Sequence, residues 1–212
     1  MAGKHLCVSF ANAYQAKTCM EIGQSVMWDN GAFTTYTQGK NLDREKFYAW
    51  LEDKIGHPHW AVIPDVIGGD EEHQRSLLQE WPFGPEFGAP VWHMDMPFDY
   101  LMYLTDHYKK ICFGSSGQYW NVGSDAWCAR ADAAFNMLAQ KHSRMPWIHM
   151  LRGLSLAGER WPFASADSVN VARNYKDYDR CPELMARKID SVQTPLLWEK
   201  KPIQQCMFGG KK

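Results

Sequence analysis

Short runs of apolar, β-branched and aromatic residues alternate along this chain with amphipathic stretches of helical period. The strand-like runs cover residues 6–10, 25–28, 60–63, 91–94, 111–114, 147–151 and 162–166. Asp43 is placed to cap a helix, with Leu42 and Phe47 at the flanking staple positions. Phe47, Trp50, Leu51 and Ile55 then share one face until Gly56 and Pro58 end it. Asp70-Glu71-Glu72 suits the positive end of a second helix carrying Leu77, Leu78 and Trp81. Pro97 opens a third with Phe98, Leu101, Met102 and Tyr108, a fourth runs over 125–142, and a last one starts near Pro182.

Strand–helix alternation predicts a parallel sheet covered by helices, because parallel strands need crossover connections. The number of units fits an α/β fold of the compact (β/α)8 TIM-like barrel kind. At 212 residues the chain is shorter than the roughly 250 typical of that barrel. Some crossover helices are therefore expected to be short or missing, and a doubly wound open sheet is the alternative. No repeat, low-complexity tract or linker divides the chain, so 1–212 reads as one domain.

With 45% apolar and 22% charged residues, extended disorder is not expected. No run approaches the roughly 18 apolar residues of a membrane span, and the N-terminus does not resemble a signal peptide, so a cytoplasmic protein with no membrane partner is expected. Net charge is −1, from 23 basic against 24 acidic residues, which weighs against a purely electrostatic nucleic-acid binder. The six cysteines show no C-x-x-C and no paired spacing, so buried thiols are expected rather than a structural zinc. Ten Trp, ten Phe and nine Tyr supply a core and leave stock for a stacking pocket.

The chemistry gathers after the strand-like runs. Asp29 follows the second, Asp65 the third, His93 and Asp95 close the fourth, and Gly114-Ser115-Ser116-Gly117 ends the fifth. Arg152 and Gly153 follow the sixth, which contains His149 and Met150, and Asp167 follows the seventh. In parallel α/β folds these carboxyl ends form one face, where ligands bind. An acid after a strand often only caps the next helix, a role that suits Asp70 and Asp95. Asp29 suits it poorly, since the next strong helix signal begins at Leu42. His57-Pro58-His59 precedes its strand and reads as a loop at the opposite face. His93, Asp95 and His149 offer a weaker metal set. No P-loop, G-x-G-x-x-G run or G-x-S-x-G elbow is present.

Two carboxylates on one rim suit glycosyl transfer, one attacking the anomeric carbon and the other moving the leaving group's proton. A nucleobase leaving group also needs a stacking ring and acceptors for its edge. Phe33, Asp29 and Asp65 are placed to supply these. Hydrolysis by water, a metal-dependent hydrolase using Asp29, Asp65, His93 and His149, and a non-catalytic nucleic-acid binding module remain open at this level.

In order along the chain, these motifs resemble the tRNA-guanine (queuine) transglycosylase superfamily, and within it the DNA-modifying DpdA-type 7-deazaguanine transglycosylases. Asp29-Asn30-Gly31-Ala32-Phe33 is similar to the family's Asp-Ser-Gly-Gly-Phe segment, which implies an acid/base role for Asp29 and stacking by Phe33. Asp65 falls where the family has a base-recognising Asp, and Gly114, Ser115 and Ser116 where a glycine-rich loop meets the base. Met150 or Leu151 would cover the base's other face, with Gly153 beside it. The run from Asp167 to Arg173-Asn174 is similar to Asp-x-x-x-Pro-Thr-Arg-Asn, shorter by one residue, which implies that Asp167 is the nucleophile.

The resemblance implies exchange of guanine in DNA for a base such as preQ0 through a covalent Asp-glycosyl intermediate, without a metal or redox cofactor. The family's tRNA enzymes carry a downstream zinc site of clustered Cys and His. Here only Cys181 and Cys206 stand isolated after Asp167, so DNA is expected over tRNA. His93 and Asp95 are further expected at the substrate, and Arg173, Lys176 and Arg180 at the nucleic-acid backbone. A second copy of the chain or a helper protein stays open as a partner, and a bacteriophage origin would place the enzyme in host cytoplasm.

Overall fold

The structure, a computed structural model, describes residues 2–174 and 181–200. Strands β1 (His5–Ser9), β2 (Ser25–Asp29), β3 (Trp60–Val62) and β4 (Gly88–Ala89) form one parallel sheet in that order. A second parallel sheet takes β5 (Val91–His93), β6 (Lys110–Gly114), β7 (Trp147–Met150) and β8 (Ser165–Ala166). The helices are α1 (Ala16–Ile22), α2 (Ala32–Thr37), α3 (Arg44–Leu51), α4 (Glu71–Gln79), α5 (Phe98–His107), α6 (Asp125–Lys141), α7 (Asn170–Asn174) and α8 (Pro182–Asp190).

Only Pro90 separates β4 from β5. Proline has no N–H to give a ladder, so the strand is interrupted there. The neighbouring carbonyls still bond outward in both directions. Ala89 O accepts from Ile63 N at 3.0 Å and Pro90 O from Cys112 N at 2.8 Å, so residues 88–93 join the two sheets edge to edge.

Period-two alternation sorts every strand into two faces. On the outer face, Val26, Trp28, Ala61 and Ile63 pack with Phe47 and Leu51 of α3. Ile111, Phe113, Ile148 and Met150 pack with Leu101 and Leu104 of α5 and Ala131 and Phe135 of α6. On the inner face, Met27, Trp60 and Val62 of the first sheet meet Val91 and Cys112 of the second, with Trp147 and Leu151 against them. Trp60 stands edge-on to Trp147 at 5.2 Å and to His149 at 5.4 Å, so the inner faces of the two sheets touch each other.

The expected helices are present, with the expected caps at two of them. Asp43 accepts from Lys46 N at 3.1 Å and Asp70 from His73 N at 2.9 Å, while Ser124 caps α6 through Trp127 N at 3.3 Å. Three expectations need correction. Asp95 caps nothing: α5 starts at Phe98, with Pro97 at the cap position and no side-chain cap, and Asp95 instead accepts from the Ser116 hydroxyl at 2.5 Å. The α3 helix stops at Leu51, short of Ile55. Between Asp29 and Leu42 lies α2, whose threonines and lack of apolar period hid it. Its first turn is tied by Asn30, whose Oδ1 accepts from Ala32 N at 2.8 Å, so Asp29 is left for other work. No helix among the described residues is long and apolar enough to cross a membrane.

Phe113 is fully buried between Trp92, Phe135 and Phe163, and Phe113→Ala is expected to cost about 3–5 kcal/mol by chemical denaturation. Ser124→Ala removes one cap only and should cost about 1 kcal/mol in the same measurement.

Candidate active site

The inner face changes character toward the carboxyl ends of the strands. Aromatic and aliphatic side chains fill it lower down, and Asp29, Asp65, Asp167, His93 and His149 crown it. The three carboxylates are close enough that Asp167 and Asp65 both act on Asp29.

Asp29 ends β2, on the face of Met27 and opposite Ser9 in the β1 register. Burial lifts its carboxyl from the ordinary 3.8 to about 6, the charges of Asp167 and Asp65 add to the rise, and Ser9 and the Gly31 N–H oppose it. The Ser9 hydroxyl oxygen is buried and makes no hydrogen bond among the described residues, and its proximity favours the carboxylate's charged form. Asp29 is thus an acid poised near neutrality.

Asp65 is tied on both oxygens. Its Oδ1 accepts from Asn30 Nδ2 at 2.8 Å, and Oδ2 lies 3.0 Å from His93 Nε2. That second contact has an ion-pair distance but not a hydrogen bond's alignment, so buried His93 Nε2 makes no hydrogen bond among the described residues. Asn30 also donates to Ile63 O at 2.9 Å, which locks the turn after β2 onto the end of β3.

Asp167 follows β8. Its Oδ1 accepts from Arg152 N at 2.8 Å and faces His149 Nε2 at 3.2 Å, while His149 Nδ1 lies 2.7 Å from Ser165 Oγ. His149 and Ser165 are register partners across β7 and β8, which is why the two side chains meet. Cys7 and Cys112 share this inner face. Burial first, then the Asp167 carboxylate, pushes both thiols well up, so neither offers a thiolate. Cys7 is at once solvent-accessible and surrounded by protein, the signature of a side chain lining a recess.

Arg152 covers the rim. Its φ of +59° is left-handed, a conformation that costs a non-glycine residue roughly 1–2 kcal/mol. The turn delivers its N–H to Asp167 and sends the guanidinium across to Ser115 O at 3.0 Å. There the guanidinium lies 4.4 Å from the Phe33 ring and 4.7 Å from that of Trp120, and the two rings are 5.7 Å apart. Phe33 and Trp120 stay 39% and 40% exposed, an open aromatic edge above half-buried acids. Beside it, a cleft of about 290 Å³ runs between α2 and the loop after β3, lined by Tyr36, Lys40, Asp65 and His73.

Other expected site residues have structural partners. Ser115 Oγ accepts from Trp127 Nε1 at 2.9 Å, and Ser116 Oγ donates to Asp95, so these hydroxyls hold the loop itself. A Cβ on Gly114 would come within 2.9 Å of Val91 Cγ1, and one on Gly153 within 1.9 Å of Met150 Cγ, so packing alone requires both glycines. Met150 does not join the site: strand alternation turns it outward into the helix-side core, fully buried. Leu151, the other residue considered for that place, faces inward. His93, Asp95 and His149 do not form a metal set, since each is drawn to a different partner, and no cluster of three or more such ligands occurs among the described residues. His59 accepts from Val26 N at 3.0 Å at the far end of the strands, as a loop residue. Arg173 is exposed in α7, and Lys176 and Arg180 lie outside the described residues.

Sequence reading missed Ser9, Asn30 and Trp120. Alternation from Asp29 across the β1 register would have found Ser9. Nothing local marks Trp120, which reaches the rim only through tertiary packing.

Because the folded protein binds the Asp29 proton more tightly than the unfolded chain does, stability falls as pH rises from about 4 to about 6. The shift of roughly two units corresponds to about 3 kcal/mol lost above that window. Asp29→Asn is therefore expected to raise the unfolding midpoint at pH 7, with the gain vanishing below pH 4; thermal unfolding across that range checks it.

Comparison with models of protein families, with curated proteins and with solved structures finds no match to this chain.

Proposed function

We propose that this protein is a base-exchange transglycosylase that replaces guanine in DNA with a 7-deazaguanine such as preQ0, similar in mechanism to the DNA-modifying branch of the tRNA-guanine (queuine) transglycosylase superfamily. The observation that carries this reading is the pairing of two unlike carboxyls on one inner face. Asp29 is held near 6 by burial, and Asp167 is anchored through one oxygen by Arg152 N and His149. Glycosyl exchange needs such a division of labour, an acid for the departing base and an oriented nucleophile for the sugar.

The steps balance on these residues. A carboxylate oxygen of Asp167 attacks C1′ as the C1′–N9 bond breaks, and Asp29 gives its proton to the guanine that leaves with the bonding electrons. The incoming deazaguanine gives its N9 proton to the Asp29 carboxylate and attacks C1′, which frees Asp167. Asp65, steadied by Asn30 and His93, faces the donor-rich edge of the base. Phe33 supplies the stacking ring. The open rim admits a nucleotide only if it is extruded from the duplex, at a cost of a few kcal/mol.

In the same reading, the two sheets form the wall of a compact (β/α)8 barrel. Support comes from their junction at Pro90, from the inner cluster that draws on both, and from Cys7 of β1 feeling Asp167 after β8. The exposed Arg173 is assigned to backbone contact, as are Lys176 and Arg180 outside the described residues.

Incubation of the full chain with guanine-containing duplex and labelled preQ0, followed by digestion and mass spectrometry, is expected to show the deazaguanine deoxynucleoside. Asp167→Ala should show none. Free guanine without incorporation would instead identify a glycosidase, and unchanged exchange in Asp167→Ala would overturn the mechanism. In single turnover, guanine release should fall about tenfold per pH unit above about 6, as Asp29 loses its proton, and Asp29→Asn should slow it by roughly 100-fold or more.

A further inference from the structure

The Asp167 carboxylate is not symmetric in its surroundings. Both groups that hold it, the Arg152 N–H at 2.8 Å and His149 Nε2 at 3.2 Å, meet the same oxygen, Oδ1. Oδ2 has no hydrogen bond among the described residues. His149 itself is 3% exposed and wedged in place, stacked on Trp147 at 6.2 Å with an interplanar angle of 11° and edge-on to Trp60 at 5.4 Å. Its other nitrogen, Nδ1, sits 2.7 Å from Ser165 Oγ.

The proton positions along this chain follow from chemistry. An ionised carboxylate has only acceptor sites, so a short contact with Asp167 requires a hydrogen on His149 Nε2. A neutral imidazole then has a bare Nδ1, which needs a donor, and the Ser165 hydroxyl is the group at hydrogen-bond distance. Ser165 thus donates to Nδ1, and Nε2–H donates to Oδ1.

Resting on the transglycosylase reading above, we infer that Ser165–His149–Asp167 is a positioning relay: it fixes His149 as the Nε2–H tautomer, holds Oδ1, and presents Oδ2 of Asp167 as the atom that bonds to C1′. In the attack, the Oδ2–C1′ bond forms as the C1′–N9 bond breaks, and the ester's remaining carbonyl oxygen is Oδ1. Its two donors stay in place and stabilise the negative charge that returns to the Asp167 carboxylate when the incoming base displaces it and the C1′–Oδ2 bond breaks. His149 gives up no proton at any stage. It is a positioning residue, and the proton work stays with Asp29.

The test reads the relay without using activity. Long-range ¹H–¹⁵N NMR of the labelled full chain at pH 8, with His149→Gln to assign the ring, is expected to show Nε2 protonated and Nδ1 bare. Ser165→Ala should move His149 toward a mixture of tautomers. A protonated Nδ1 on a neutral ring, an imidazolium at pH 8, or a tautomer unmoved by Ser165→Ala would each overturn the inference.

Kinetics then test its consequence. His149→Phe is expected to slow glycosyl-enzyme formation by about 100-fold at unchanged KM for the incoming base. His149→Gln, whose amide can donate to Oδ1, should recover most of the rate, and equal rates in the two variants would also count against the relay. If the wild-type protein exchanges no base, the functional reading fails, while the tautomer measurement still decides whether the relay exists.

Discussion

Burial first, and then the mutual repulsion of Asp29, Asp65 and Asp167 gathered at the carboxyl ends of parallel strands, shapes the upper part of this molecule. Three like charges at the edge of an apolar interior repel, and each is accommodated differently. Asp65 is divided between Asn30 and His93, Asp167 takes two donors on one oxygen, and Asp29 holds its proton to about pH 6. The unequal treatment is what gives one site both an acid and an anchored carboxylate. Symmetric solvation would have given three equivalent anions and no division of roles.

That arrangement depends on packing well below it. Trp60 crosses from the first sheet to touch Trp147 and His149 of the second, so the ring that holds Asp167 is braced by a residue from the other sheet. Gly114 leaves room for His93 beside Val91, and the Asn30 amide fastens the turn after β2 to the end of β3. The contact of His149 with Asp167 therefore rests on aromatic packing beneath it.

Much of this was legible in the sequence because strand alternation and strand-end acids are local signals. The apolar runs at 25–28, 60–63, 91–94, 111–114 and 147–151 each contain or closely overlap a strand, and the acids at 29, 65 and 167 reach one inner face. What was not legible depended on partners distant in the chain. Asp95 looked like a helix cap until Ser116, brought in by β6, took its carboxylate. Met150 looked available beside His149, yet a period of two turns neighbours to opposite faces, and the helix-side core claims it. The short α2 escaped because Thr34, Thr35 and Thr37 give no apolar stripe, and β4 because two residues are too few to make a pattern.

Arg152 shows how rim and interior are made interdependent by one residue. Its left-handed backbone is unfavourable in isolation and is offset by what it achieves: the N–H points down to Asp167 Oδ1 while the guanidinium packs against both Phe33 and Trp120. A relaxed φ would aim the N–H elsewhere and leave Oδ1 to His149 alone. The guanidinium also sits over one face of the Phe33 ring, so a planar ligand stacked on that face and the cation cannot both occupy it. Stacking there therefore requires the Arg152 side chain to leave while its backbone stays. The anchored end of Asp167 is held by the backbone, the part of the residue that need not move.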